Sequence, residues 1–296
     1  AKHQISRESL FISTKIGMFT GDHQSGVYSP EEMWRKMMVH VLPTDVFKKT
    51  QCMAVYCLKE FFARSYRNLE LESIDVLYLD NAAEYQLSVI GKEHFMKRLL
   101  AAFQLFEEFR ASGRIKAYGL ASWNSFLLPA DNPLSLSLEE VVELAQQVGG
   151  FEHHGFKYIQ VPANVLMPEV WELRCQPVNV LNESFTILEA ARELKLGVFG
   201  VAPLMSGALL SSNNAIAKRV RSHASLMLLD SIGSRFIQVS RSIPGLLSLI
   251  VGQSTPSHSV ANARAFDLPM LTPQQFDMYT TSRTNGGNTL PPGWVR

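Results

Sequence analysis

The chain has 296 residues, 46% hydrophobic and 19% charged, enough to bury a large core in a single domain. Its 28 basic and 27 acidic residues leave a formal net charge of +1, so no long-range field favours nucleic acid or an anionic membrane. No run of about 18 apolar residues occurs, which excludes a helical membrane span.

Three cysteines, Cys52, Cys57 and Cys175, are too few and too odd in number for a disulfide framework. They favour a reducing compartment, the cytoplasm or an organelle matrix such as the mitochondrion. Cys52 and Cys57 lack the second pair a metal site would need, so no metal is expected. The first residue is Ala1 and no signal-peptide pattern follows it, which reads as a trimmed N-terminus.

In chain order, Phe11-Ile12-Ser13-Thr14-Lys15 predicts a strand, followed by a long loop at 17–50. Val76-Leu77-Tyr78-Leu79 predicts the next strand. A helix is expected from about Glu93 to Arg110, with Phe95, Leu99, Ala102, Phe103, Phe106 and Phe109 on one stripe. Gly113 follows as its cap, then a strand at Ala117-Tyr118-Gly119-Leu120 and a loop at 125–137. The next helix, about Leu138 to Val148, turns Val141, Val142, Leu144 and Ala145 inward and ends at Gly149.

His153-His154 falls in a polar turn and is expected to be solvated. Tyr158-Ile159-Gln160-Val161 predicts a strand, and a loop occupies 167–183. A helix begins near Ser184, carries Ile187, Leu188, Ala191 and Leu194, and is closed by Gly197. Strands follow at Val198-Phe199-Gly200-Val201 and Ser248-Leu249-Ile250-Val251, with the basic run Lys218-Arg219-Val220-Arg221 on a solvated helix face between them.

These strands are apolar on both faces and alternate with helices, the pattern of a parallel sheet with right-handed crossovers. A doubly wound sheet would carry a glycine-rich phosphate loop after an early strand, and none is present. The expected class is therefore α/β, a (β/α)8 TIM barrel of which six βα units are visible. Two further units, expected upstream of Ala1, would close it. The barrel is expected over 1–275 and an extended tail over 276–296, in which Trp294 either docks on a neighbouring subunit or folds back.

Four segments together resemble the aldo-keto reductase family. Leu10-Phe-Ile-Ser-Thr-Lys-Ile-Gly17 is similar to its third strand and Leu69-Glu-Leu-Glu-Ser-Ile-Asp-Val-Leu-Tyr-Leu79 to the approach to its fourth. Gly113-Arg-Ile-Lys-Ala-Tyr-Gly119 is similar to its fifth. Ile243-Pro-Gly and Val251-Gly-Gln-Ser-Thr-Pro-Ser-His-Ser-Val-Ala-Asn262 resemble its eighth strand and cofactor loop. The resemblance implies carbonyl reduction by hydride from NADPH without metal, using an Asp, a Tyr acid, a Lys and a His.

Lys15 matches the Lys of that set. The Asp and Tyr would lie on the second strand, upstream of Ala1. Asp80, in Leu79-Asp80-Asn81, stands where the family has His. An ionised carboxylate cannot donate a hydrogen bond to a carbonyl oxygen, and it opposes a developing alkoxide. Asp80 is therefore expected to pair with Lys15, with a raised pKa as the alternative that would keep it a donor.

For the cofactor, the resemblance implies Ser122 and Gln160 at the nicotinamide end, with Ala121 beside them and Val201 where an aromatic ring often stacks. Ser254, Thr255, His258 and Asn262 match the adenosine-phosphate positions. Thr255 reads as an N-cap with Pro256 at the first helical position, a helix start suited to phosphate. Ala261 replaces the usual acid, Gln253 is neutral, and the loop contains no Arg or Lys. NADP(H) is the implied cofactor, retained or lost.

Two functions are expected from this pattern. One is a reductase-like subunit impaired in chemistry, with a protein partner covering the open barrel edges. The other is an active NADPH-dependent carbonyl oxidoreductase.

Overall fold

A computed structural model describes residues 5–20, 29–178 and 183–280. The chain runs β1 (Ser13–Ile16), α1 (Pro30–Met37), a short hairpin of β2 (Val46–Phe47) and β3 (Gln51–Cys52), and α2 (Val55–Leu69). It continues through β4 (Ile74–Asp80), α3 (Ala82–Ala111), β5 (Ile115–Ala121), α4 (Leu138–Gly149), β6 (Phe156–Pro162) and α5 (Glu169–Glu172). A second hairpin, β7 (Gln176–Val178) with β8 (Glu183–Phe185), leads to α6 (Ile187–Glu193) and β9 (Gly197–Val201). The last elements are α7 (Ala208–Ser211), α8 (Ala215–Ser222), α9 (Ile232–Arg241), β10 (Ser248–Leu249), α10 (Pro256–Ala263) and α11 (Pro273–Thr280).

Six strands form one parallel sheet in the order β1-β4-β5-β6-β9-β10. Laid flat, β1 and β9 would stand about 19 Å apart, four strand spacings. Instead the Phe11 ring, just before β1, lies 5.6 Å from that of Phe199 on β9 and 5.7 Å from that of Tyr158 on β6. The sheet therefore curls round an axis, as barrel strands do.

Side chains divide between its two faces. Val76, Tyr78, Ala117 and Ala121 pack inside the curl with Tyr158 and Phe199. Leu77, Leu79, Leu120, Ile159, Val161 and Val198 point outward under the helices, where α3 contributes Phe95, Leu99, Phe103 and Phe106. Gly119 sits where the inner side chains cross: a Cβ there would stand 2.2 Å from the Tyr158 carbonyl oxygen and 2.7 Å from the Tyr78 ring.

Local differences from the sequence reading have physical causes. The helix expected from Glu93 starts at Ala82 and is broken at Gly91, whose φ of 74° and ψ of 165° are not helical. Ser184 belongs to β8; the helix after it starts at Ile187, capped by the Thr186 side chain with Glu189 reaching back to the Thr186 amide. Gly149 ends α4, but the positive φ falls on Gly150. Lys195, not Gly197, takes the left-handed turn before β9. Gly197 is needed for space, since a Cβ would strike the Tyr158 ring at 2.8 Å.

His154, expected to be solvated, is 5% exposed, and its Nδ1 has no hydrogen-bond partner. Burial, then the neighbouring Lys157, pushes its pKa down. Arg219 and Arg221 donate to the carbonyls of Met278 and Leu209, so that basic run is not simply a solvated face. α11 spans residue 275, with Phe276 and Tyr279 buried, whereas Trp294 lies outside the described residues.

Candidate active site and cofactor cleft

The C-terminal ends of the parallel strands converge on one mouth. Lys15 lies opposite Tyr78 in the β1–β4 register, and Asp80 lies opposite Ala121 in the β4–β5 register. The Lys15 Nζ donates to Asp80 Oδ1 at 3.1 Å, an ion pair with side-chain exposures of 46% and 16%. Burial pushes the Asp80 pKa up; the Lys15 ammonium works against this, and Glu84 adds to it. The chain leaves both strands through left-handed positions, Gly17 with φ of 110° and Asn81 with φ of 44°.

Glu84, in the first turn of α3, emerges as a site residue that sequence reasoning missed. Its Oε1 accepts from Ser122 Oγ at 2.6 Å and from the amides of Trp123, Asn124 and Ser125 at 2.7, 3.1 and 3.2 Å. Ser125 Oγ adds a fifth donor at 3.2 Å, whereas the buried Oε2 has no partner. One carboxylate oxygen thus gathers the polar groups of the turn after β5, including the Ser122 hydroxyl assigned to a cofactor amide.

Gln160 is 3% exposed and lies next to Ala121 across the sheet. The Tyr78 hydroxyl is buried without a hydrogen-bond partner. Burial raises its pKa, and the nearby Gln160 amide works against that rise.

The remaining expected cofactor residues line a cleft beyond the C-terminal ends of β9 and β10. This cleft, of about 560 Å³, opens between the segment after β9 and the start of α10, lined by Pro203, Leu204, Gly207, Ser254, His258 and Asn262 among others. Thr255 Oγ1 accepts from the His258 amide at 3.3 Å and caps α10, with Pro256 at the first helical position. The structure thus brings Ser254, His258 and Asn262 together around one cavity with Thr255 at its helix start. It places Ser122, Gln160, Lys15 and Asp80 at the barrel mouth.

Neither family models nor curated proteins give a match to the sequence. The holo form of the aldo-keto reductase AKR11C1 from Bacillus halodurans is similar in structure. The TM-score is 0.55 at 15% identity, over 93% of this chain and 74% of that one. The fold is that of an aldo-keto reductase.

Within such a barrel, the residues present fit a dinucleotide unequally. The α10 start and the Ser254 and Asn262 side chains offer polar groups suited to phosphate. Among the described lining residues there is no Lys or Arg to meet an additional ribose phosphate. Of the two residues expected at a nicotinamide amide, Gln160 is placed on β6 and Ser122 is already bound by Glu84. Among the described residues, no group of three or more His, Cys, Asp or Glu is placed to hold a metal ion, and no helix is long and apolar enough to cross a membrane.

Proposed function

We propose that this chain is an aldo-keto reductase-like subunit that keeps the dinucleotide cleft but is impaired in carbonyl reduction, and that it works within a larger assembly. The Lys15–Asp80 ion pair carries this reading. Carbonyl reduction by hydride needs a donor at the oxygen that becomes an alkoxide. Here the lysine is paired with a carboxyl group, which in its ionised form accepts rather than donates and repels developing negative charge. Lys15 is committed to that carboxylate instead of to a neighbouring acid.

Support for an accessory role comes from the sheet edges. β1 and β10 end the six-stranded order, and the residues flanking them include the exposed apolar side chains Leu10, Phe11, Leu247 and Ile250. Parallel edges that are unpaired among the described residues and have apolar flanks are surfaces that a partner chain would cover. The partner proposed is a protein that contributes strands to these edges.

The cofactor proposed for the cleft is NADP(H), which when bound supplies hydride. Ser254, His258 and Asn262 would hold its adenosine-phosphate end and Gln160 its amide. The absence of lining Lys or Arg among the described residues leads to weak discrimination, with NADPH and NADH affinities within about fivefold of each other. The cleft and Lys15 also favour a second reading, an active NADPH-dependent carbonyl reductase.

Tryptophan-fluorescence titration with NADPH and turnover assays on aldehydes and quinones separate the two. The first reading expects saturable binding with negligible turnover, and a gain of at least about tenfold on Asp80→His. Brisk cofactor-dependent turnover by the unaltered protein would overturn it.

A further inference from the structure

The Glu84 carboxylate does more than tie down a turn. Ser122 has one hydroxyl proton, and it is given to Glu84 Oε1 at 2.6 Å. The same hydroxyl accepts from the Ser125 amide at 3.1 Å, and the Ser122 amide donates to the Gln160 carbonyl at 3.0 Å. Ser122 is 6% exposed and Gln160 3%. Both residues expected at a carboxamide are therefore covered, and the hydroxyl of one is already spent.

A carboxamide arriving here would offer a neutral acceptor to a hydroxyl that already donates to a carboxylate. A charge-assisted O–H···O⁻ bond of this length is roughly twice as strong as a neutral one. Losing it would also cost Glu84, whose Oε2 is already buried without a partner, one of the donors on its other oxygen. The exchange is unfavourable, and Glu84 keeps the hydroxyl.

The adenosine-phosphate residues are open by contrast. Ser254 and His258 are exposed on the α10 cleft, whose described lining includes none of Glu84, Ser122 and Gln160. We propose that the chain reads only the adenosine-phosphate portion of a dinucleotide, because Glu84 withholds Ser122 from the nicotinamide carboxamide. This rests on the cleft being a nucleotide site, as proposed above, and it widens the ligand class to adenine nucleotides that carry no nicotinamide at all. Glu84 acts through Ser122 and is a positioning residue.

Calorimetric titration of the full chain with NADPH and with 2′-phospho-ADP-ribose, which lacks the nicotinamide ring, tests the proposal. The two should bind with affinities within about fivefold of each other. NADPH binding tighter by more than that would overturn the inference and leave the nucleotide reading standing. Binding of neither compound would overturn the nucleotide reading, and this inference with it. Glu84→Ala frees the hydroxyl and should tighten NADPH about tenfold while leaving 2′-phospho-ADP-ribose unchanged. Glu84→Gln, whose side-chain carbonyl can take the same donors, should return NADPH to its original affinity. No gain on Glu84→Ala, or an equal change in both affinities, the mark of a merely structural role, would also overturn it. If Glu84→Ala does not fold, the comparison on the unaltered protein decides.

Discussion

Asp75 and Asp80 lie on the same strand, and their surroundings move their acidity in opposite directions. At Asp75, burial opposes the charge, yet the Ile12 amide, Lys116 and Arg7, at 2.8, 2.7 and 2.8 Å, prevail and hold the pKa below the usual carboxylate range. A depressed value stabilises the fold above that range, and the contribution fades as pH falls through it. Asp75→Asn should therefore cost about 2 kcal/mol in urea unfolding at pH 7 and much less in acid.

Asp80 has the opposite sign, because burial outweighs Lys15 and its value is raised. Its stabilising contribution is complete below the usual range and is lost as pH rises through the raised value, so the ionised form burdens the native state near neutrality. Lys15, half exposed, can be solvated by water if its partner is removed. Asp80→Asn should raise Tm at pH 7, with the gain vanishing below the ordinary carboxylate range; a lower Tm at pH 7 would contradict this.

At the scale of elements, Gly119 decides how closely the strands can approach. A Cβ there would press on a backbone carbonyl of β6, which cannot swing away as a side-chain tip can. Gly119→Ala should destabilise by about 3 kcal/mol, read as a lower denaturation midpoint. The strands and the phenylalanine stripe of α3 were legible because their apolar periods match the two faces of the sheet and one face of a helix. The Thr255 cap was legible because a Thr-Pro pair marks a helix start by its own chemistry. Lys15 and Asp80 were instead singled out by the family resemblance, and the structure shows the ion pair expected between them.

Glu84 was not legible. Asn81-x-x-Glu84 reads as a local capping pair, and only the packing of the turn after β5 against the start of α3 turns its carboxylate toward five distant donors. The hairpins β2–β3 and β7–β8 were also missed, since two- and three-residue strands carry no measurable alternation. His154 was misread because a polar turn says nothing about which of two adjacent rings folds under it.

For the molecule as a whole, the proposed accessory role places the partner surface on the edges of the curled sheet. Lysine on an edge disfavours further strand pairing. Leu10→Lys combined with Leu247→Lys, both at exposed positions, should raise the monomer fraction in analytical ultracentrifugation and weaken capture of any strand-contributing partner. An unchanged distribution of species would place the association surface elsewhere.

The stacked rings of Phe11 and Phe199 join sites separated by most of the described chain. No early nucleus built from neighbouring βα units contains that contact, because closing so long a loop costs entropy before any reward arrives. During synthesis from the ribosome, Phe11 waits without its partner until β9 has emerged. Truncating this ring should therefore leave the refolding rate nearly unchanged and hasten unfolding, marking the closure of the curl as the last event on the way to the native state.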